Sequence, residues 1–180
     1  MYGIDYSITF RKVEPDDIEQ IKKFDCGNRN INFFIQNECL KSKKNVTYLF
    51  VDDKSKDIIA FCSICCSGIL LKDTDGKVRT FTNIPSIEID FFAVDEKYSK
   101  MPLDKDSTKY ETLSRALFGI LIKYIESIAI NYVGATHISL YSVPQAINFY
   151  KRSGFVEFAS YMQRDKKKYI ARCTPMFLAL

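Results

Sequence analysis

Ala146-Ile147-Asn148-Phe149-Tyr150-Lys151-Arg152-Ser153-Gly154-Phe155 is the stretch on which the reading of the fold turns. Pro144 stands just ahead of it, where a fixed φ suits the first turn of a helix, so Pro144 to Arg152 is expected as a short helix closed by the Gly-Phe turn. Strands flank it. Ile138-Ser139-Leu140-Tyr141 precedes it, Phe155 to Met162 follows, and Tyr169 to Leu178 gives a last strand. The last two strands are joined through Arg164-Asp165-Lys166-Lys167-Lys168, a charged connection suited to a solvated turn.

Working back toward the N-terminus, Leu113 to Val133 carries Leu117, Ile120, Leu121, Tyr124, Ile125 and Ile128 on one helical face, and Gly134 supplies the stop. Ile84 to Val94 alternates as a strand. Thr47-Tyr48-Leu49-Phe50-Val51 and Ile58 to Ile64 form an expected antiparallel hairpin about Asp52-Asp53-Lys54-Ser55. Lys72-Asp73-Thr74-Asp75-Gly76-Lys77 is a polar excursion with an Asp-Gly turn, and it lacks the later acidic ligands of a calcium loop. Ser7 to Val13 reads as a strand. Glu14-Pro15-Asp16-Asp17 then opens a helix with Ile18, Ile21 and Phe24 on its apolar face. After the turn cluster Asp25-Cys26-Gly27-Asn28, the residues Ile31, Phe34, Ile35 and Cys39 recur at helical spacing through about Lys43. The order is strand, two helices, three strands, helix, strand, helix, two strands, which is an α/β layered domain with a mixed sheet. A single domain over residues 1–180 is expected.

Composition agrees with that size. The 180 residues are 47% apolar and 27% charged, the balance of a globular protein. The first six residues carry neither a basic leader nor an apolar run, and no later stretch approaches a membrane span, so the expected location is cytoplasmic. Six cysteines are present, three of them (Cys62, Cys65, Cys66) in one apolar strand, which reads as reduced and buried thiols. Cys62-Ser63-Ile64-Cys65 has the gap of a zinc or redox pair. A second pair is missing, and the single histidine, His137, has no ligand partner at metal spacing, so no metal site is expected. The net charge of +4 does not by itself indicate a nucleic-acid partner.

Three stretches resemble the GNAT superfamily of N-acetyltransferases, in that family's order of elements. Ala146 to Phe155 is similar to its late motif of alanine, an apolar-tyrosine pair, a basic residue and Gly-Phe. Ile87-Glu88-Ile89-Asp90-Phe91-Phe92-Ala93-Val94 resembles the fourth strand leading to the coenzyme-binding loop. Phe24-Asp25-Cys26-Gly27-Asn28 is similar to the Phe-x-Cys-Gly-Asn signature of one branch, which includes toxins of toxin–antitoxin pairs. The resemblance implies a mixed, mostly antiparallel central sheet flanked by helices and splayed between the fourth and fifth strands.

It also implies acetyl-CoA as cosubstrate, with main-chain groups of Phe92, Ala93 and Val94 pairing with the pantetheine arm. The pyrophosphate is expected at the start of the long helix, where N–H groups and the dipole favour anions. The segment between Val94 and Leu113 contains no glycine, a departure from the family, so Thr112, Leu113 and Ser114 are the expected holders, with Lys97 or Lys100 nearby. Tyr150 is expected as the acid that meets the departing thiolate and Glu88 as the base for the substrate ammonium. Asp90, Tyr141 and Ser142 are expected to line the acceptor site, with Val143 where the family often has asparagine.

The acceptor is open at this point. A primary amine of a small molecule or protein is the first reading. The amino group of aminoacyl-tRNA, acted on by a toxin, is the second, supported by the Phe24 to Asn28 signature and by Lys151-Arg152, Arg164 and Lys166-Lys167-Lys168, which suit phosphates. A non-catalytic acyl-CoA-binding module is the third. Partners that the resemblance allows are tRNA, an antitoxin protein and a second copy of the chain as a homodimer.

Overall fold

Seven strands form one sheet in the order β1-β2-β3-β4-β5-β7-β6. The computed structural model describes residues 7–72, 81–103, 112–158 and 173–180. The strands are β1 (Ile8–Lys12), β2 (Val46–Asp52), β3 (Ile58–Lys72), β4 (Phe81–Val94), β5 (His137–Ser142), β6 (Val156–Glu157) and β7 (Thr174–Ala179). The helices are α1 (Ile18–Ile21), α2 (Arg29–Asn37), α3 (Leu113–Ile128) and α4 (Ile147–Arg152). β1–β2, β2–β3, β5–β7 and β6–β7 pair antiparallel, and β4–β5 pair in parallel. A parallel pair requires a crossover, and α3 lies in that connection. The mixed, mostly antiparallel α/β architecture expected from the sequence is the one observed. The β4–β5 pairs run from Ser86↔His137 to Ile89↔Leu140, while β4 itself continues to Val94.

The chain forms two compact units. One comprises the described residues up to Ile64 with Phe91–Lys123, the other Cys65–Asp90 with Tyr124–Leu180. The core of the first is aromatic: Phe34 stacks on Phe91 with centroids 4.1 Å apart, and Phe24 meets Phe61 edge-on at 5.3 Å. Ile21 and Phe24 are buried as expected, but Ile18 is exposed. The opening helix is shorter than expected, since Pro15–Asp17 is a 3-10 turn and α1 is a single turn. Helix α2 stops at Asn37 and not near Lys43. The Phe34 carbonyl takes both the Glu38 and Cys39 amides, which ends the i−4 ladder. Arg11 donates two hydrogen bonds to Asp17 at 2.8 and 2.6 Å, fastening β1 to the turn ahead of α1.

In the second unit, Ile138 and Leu140 of β5, Met176 of β7 and Phe155 are buried. The expected strand from Phe155 is only Val156–Glu157 among the described residues. The polar excursion about Asp73 and Asp75, and the lysine run at 166–168 with Arg164, lie outside the described residues.

Helix α3 continues into a π-helical turn, Ala129–Val133, closed by Gly134 at φ +62° with its amide bonded to the Ala129 carbonyl at 2.8 Å. The span Leu113–Val133 has 21 residues and holds an 18-residue window of mean hydropathy 1.4, long and apolar enough by length and composition to cross a membrane. That corrects the expectation that no stretch comes near this length. Leu113, Leu117, Leu121, Ile125 and Ala129 are fully covered, the i, i+4 stripe of a core helix. Each such Leu or Ile contributes about 1.5–3 kcal/mol by leaving water. The cysteines also divide. Cys62 is buried, Cys65 half-buried and Cys66 exposed, all unbridged, so burial accounts for only part of the cluster.

Candidate active site

Tyr150 owes its place to the punctuation around it. Val143 is extended, Pro144–Ala146 forms a 3-10 turn with proline in its first position, and α4 follows for six residues. The Tyr150 carbonyl then accepts from the Ser153 and Phe155 amides at 2.9 and 3.1 Å, and Gly154 turns the chain at φ +89°. The Tyr150 ring packs edge-on against Phe149 and Phe155, with centroids 5.2 and 6.0 Å away. The residue is 8% exposed. Burial pushes its phenol well above the usual tyrosine range, and nearby Cys173 adds to this by disfavouring negative charge. A protonated hydroxyl is therefore what this position offers across the physiological range.

In the same unit, Glu88 sits on β4 at 2% exposure and accepts a 2.8 Å hydrogen bond from the Ser67 hydroxyl on Oε2. Its flanking residues Ile87 and Ile89 are equally covered, so the strand is buried on both sides at this point. Asp90 is half-buried. On the neighbouring strand, Ser139 pairs with Glu88 in register, and its hydroxyl lies 3.1 Å from that of Ser86. Tyr141 is half-buried opposite Pro175, and Ser142 is buried with its hydroxyl donating to the Val143 carbonyl at 2.9 Å. Lys151 is engaged by Glu157 at 2.6 Å on the surface.

The other unit holds the end of β4 and the start of α3. Ala93 is buried; Phe92 and Val94 are half-buried, with Phe92 against Phe118 of α3 at 5.0 Å. Thr112 bridges to Pro102, the Leu113 amide donates to the Met101 carbonyl at 3.0 Å, and the Ser114 hydroxyl donates to the Ser99 carbonyl at 3.0 Å. Ser99, Met101 and Pro102 of the glycine-free segment thus meet Thr112 and the first turn of α3 through their main chain.

Three features escaped the sequence reading. Asp95, 4% exposed, accepts from the amides of Asp25 and Lys97. Ser67 supports Glu88 from a strand that the sequence pattern ended near Ile64. A cleft of about 580 Å³ opens at the α1–α2 corner, with Lys22, Lys23 and Arg29 around Phe33, Asn32 and Gln36. No pattern in a single sequence announces the first two; the clustered cations of the third were visible but stood on elements whose meeting was not.

No known protein-family profile matches the chain, and no curated protein does. Solved structures do. A bacterial toxin superposes with a TM-score of 0.73 at 20% identity, covering 97% of this chain and 91% of the toxin. AtaTR bound with acetyl-CoA gives 0.72 at 17% identity, over 97% and 94% of the two chains. AtaT complexed with acetyl-methionyl-tRNAfMet gives 0.71 at 16% identity, over 96% and 95%. The fold is GNAT-like. At these identities the likeness is one of fold, and it extends over nearly the whole of each chain.

Proposed function

We propose that the chain is an acetyl-CoA-dependent N-acetyltransferase, and that its acceptor is the amino group of an aminoacyl-tRNA. The observation that carries the first half is Tyr150: a buried, protonated phenol at the end of a short helix in a GNAT-like fold. In this reading acetyl-CoA supplies an acetyl thioester to the site. Glu88 takes a proton from the substrate ammonium, the freed amine forms the new C–N bond, and the C–S bond breaks as the Tyr150 hydroxyl passes its proton to the departing sulfur and regains one from the nitrogen of the new amide. Ser67 holds the Glu88 carboxylate and can both donate and accept, so it suits either protonation state.

Phe92, Ala93 and Val94 contribute main-chain groups to the pantetheine arm, beyond the last β4–β5 pair. Thr112 and Ser114 hold the pyrophosphate with Lys97 or Lys100. The Leu113 amide, already given to Met101, has a shaping role there. Asp90, Tyr141 and Ser142 face the acceptor.

Two things support the tRNA acceptor over a small-molecule or protein amine. The superposing structures include a bacterial toxin and AtaT complexed with acetyl-methionyl-tRNAfMet. The cleft at the α1–α2 corner presents Lys23 and Arg29, together with Lys22 paired to Glu19 and the Asp25 carboxylate, a net positive lining that suits a phosphodiester. This reading places first the acceptor that the sequence analysis gave second. A cell-free translation reaction tests the proposal directly. With acetyl-CoA and the protein added, synthesis should stop and labelled acetyl should appear on aminoacyl-tRNA; uninhibited synthesis with label on a small amine would reinstate the other acceptor.

A further inference from the structure

The Asp25-Cys26-Gly27-Asn28 turn is a self-closed unit. The Asn28 side chain caps α2 by accepting from the Asn30 and Ile31 amides. The Asn32 side chain reaches back, donating to the Asp25 carboxylate at 2.6 Å and accepting from the Cys26 amide at 3.0 Å. The Asp25 carboxylate also accepts from the Gly27 amide at 2.8 Å, and these two bonds hold it below the usual carboxylate range. The polar side chains of the turn are therefore largely committed to the turn itself.

What the turn presents outward is backbone, and it presents it to the segment after β4. The Asp25 amide donates to Asp95 Oδ2 at 3.0 Å, and the Asp25 carbonyl accepts from the Glu96 amide at 2.9 Å. Gly27, at φ +74°, lies so close to Glu96 that a Cβ there would collide with its carboxylate. Asp95 is anchored on its other sides as well. Its amide donates to the Ile59 carbonyl at 2.9 Å, and its Oδ1 accepts from the Lys97 amide at 2.9 Å. From there the bonds run on. The Tyr98 amide meets the Asp95 carbonyl, the Met101 amide the Tyr98 carbonyl, and the Leu113 amide the Met101 carbonyl. One buried carboxylate thus joins the signature turn to the first residue of α3, through a segment that has no glycine to define it.

We propose that Asp95 is a positioning residue for the coenzyme pyrophosphate, and that the Phe24 to Asn28 signature exists in this chain to anchor it. This rests on the acetyl-CoA reading above. A site for an anion must be held to a fraction of an ångström by the groups behind it, and here main-chain bonds to Asp95 do what a glycine-rich loop would otherwise do by dihedral freedom.

Asp95→Asn tests it, because the amide keeps one acceptor and turns a donor toward the other N–H. Gly27→Ala tests the same junction from the opposite side should the first variant fold poorly. Asp53→Asn, in the β2–β3 hairpin, is the control. Titration calorimetry with acetyl-CoA should show Kd raised about tenfold in both test variants. With S-acetylpantetheine, which has the thioester and arm but no phosphates, kcat/KM should change less than about twofold. Lower melting temperature with unchanged acetyl-CoA Kd, or equal loss on both donors, would overturn the inference and leave Asp95 a structural staple. If the unmodified protein bound no acetyl-CoA, the coenzyme reading would fall first and take this one with it; intact binding there, unaffected in the variants, would remove this one alone.

Discussion

Glu88 and Asp95 are both buried carboxylates, one within β4 and the other just past its end, and they are held by opposite kinds of partner. Asp95 accepts from two main-chain amides, groups that can only donate and cannot move. Glu88 accepts from the Ser67 hydroxyl, which can rotate and reverse its role. The difference teaches where chemistry is expected. An acid held by backbone amides organises its surroundings, and a hydroxyl partner is free to reorient beside the acid that it meets.

The largest effect that would break this contrast is at Tyr150, the acid assigned to work with Glu88. Tyr150→Phe should bind acetyl-CoA as before and lose about 10²–10⁴ in kcat; an active variant would leave Glu88 without its counterpart. Because burial raises the phenol, no fall in kcat on its account is expected below about pH 10. Glu88→Gln comes next. It keeps an oxygen for Ser67 and loses the base, so kcat should fall about 10²-fold with the Kd for acetyl-CoA unchanged. Asp95→Asn should instead raise KM for acetyl-CoA and leave kcat nearly unchanged. If the two variants behaved alike, the division between reacting and holding acids would collapse.

The smallest effect concerns a third carboxylate, held by a cation. The hydrogen bonds from Arg11, assisted by the Glu14 amide, keep Asp17 below the usual carboxylate range, against the opposing effect of burial. A depressed folded value means that Asp17 stabilises the fold above the unfolded carboxylate range, near about pH 4. That contribution is lost as pH falls through the lower folded value. The melting temperature of the unmodified protein should therefore drop more steeply in acid than that of Asp17→Asn, by a few degrees measured by circular dichroism. Parallel curves would show that this pair adds nothing.

The long elements were legible because their periods are long. Leu113 to Ile128 repeats its apolar stripe often enough to name the helix, and Gly134 marks its end as a left-handed cap. Short elements were read less well. Four residues of α1 cannot be told from a full helix by Ile18 and Ile21 alone, and the stop of α2 depends on a shared Phe34 carbonyl that no composition reveals. Glu88 between Ile87 and Ile89 looks like alternation toward solvent. In the structure Ser86 to Ile89 are buried in succession, while Asp90, Phe92 and Val94 are half-buried, so the alternation holds only toward the end of β4. Tyr150 could be named from its Phe-Tyr and Gly-Phe context. Asp95 could not, since its meaning comes from Asp25, far away in sequence and joined to it by a main-chain amide.

The place of β7 in the sheet bears on how the protein comes into being. It follows every other strand in sequence, yet it lies between β5 and β6, with β5 paired along its whole length from His137↔Ala179 to Ser142↔Thr174. On the ribosome, β5 therefore waits with an open edge until β7 has emerged. If the chain arrests translation as proposed, this later strand delays the completed unit until β7 itself has emerged, a timing set by topology alone.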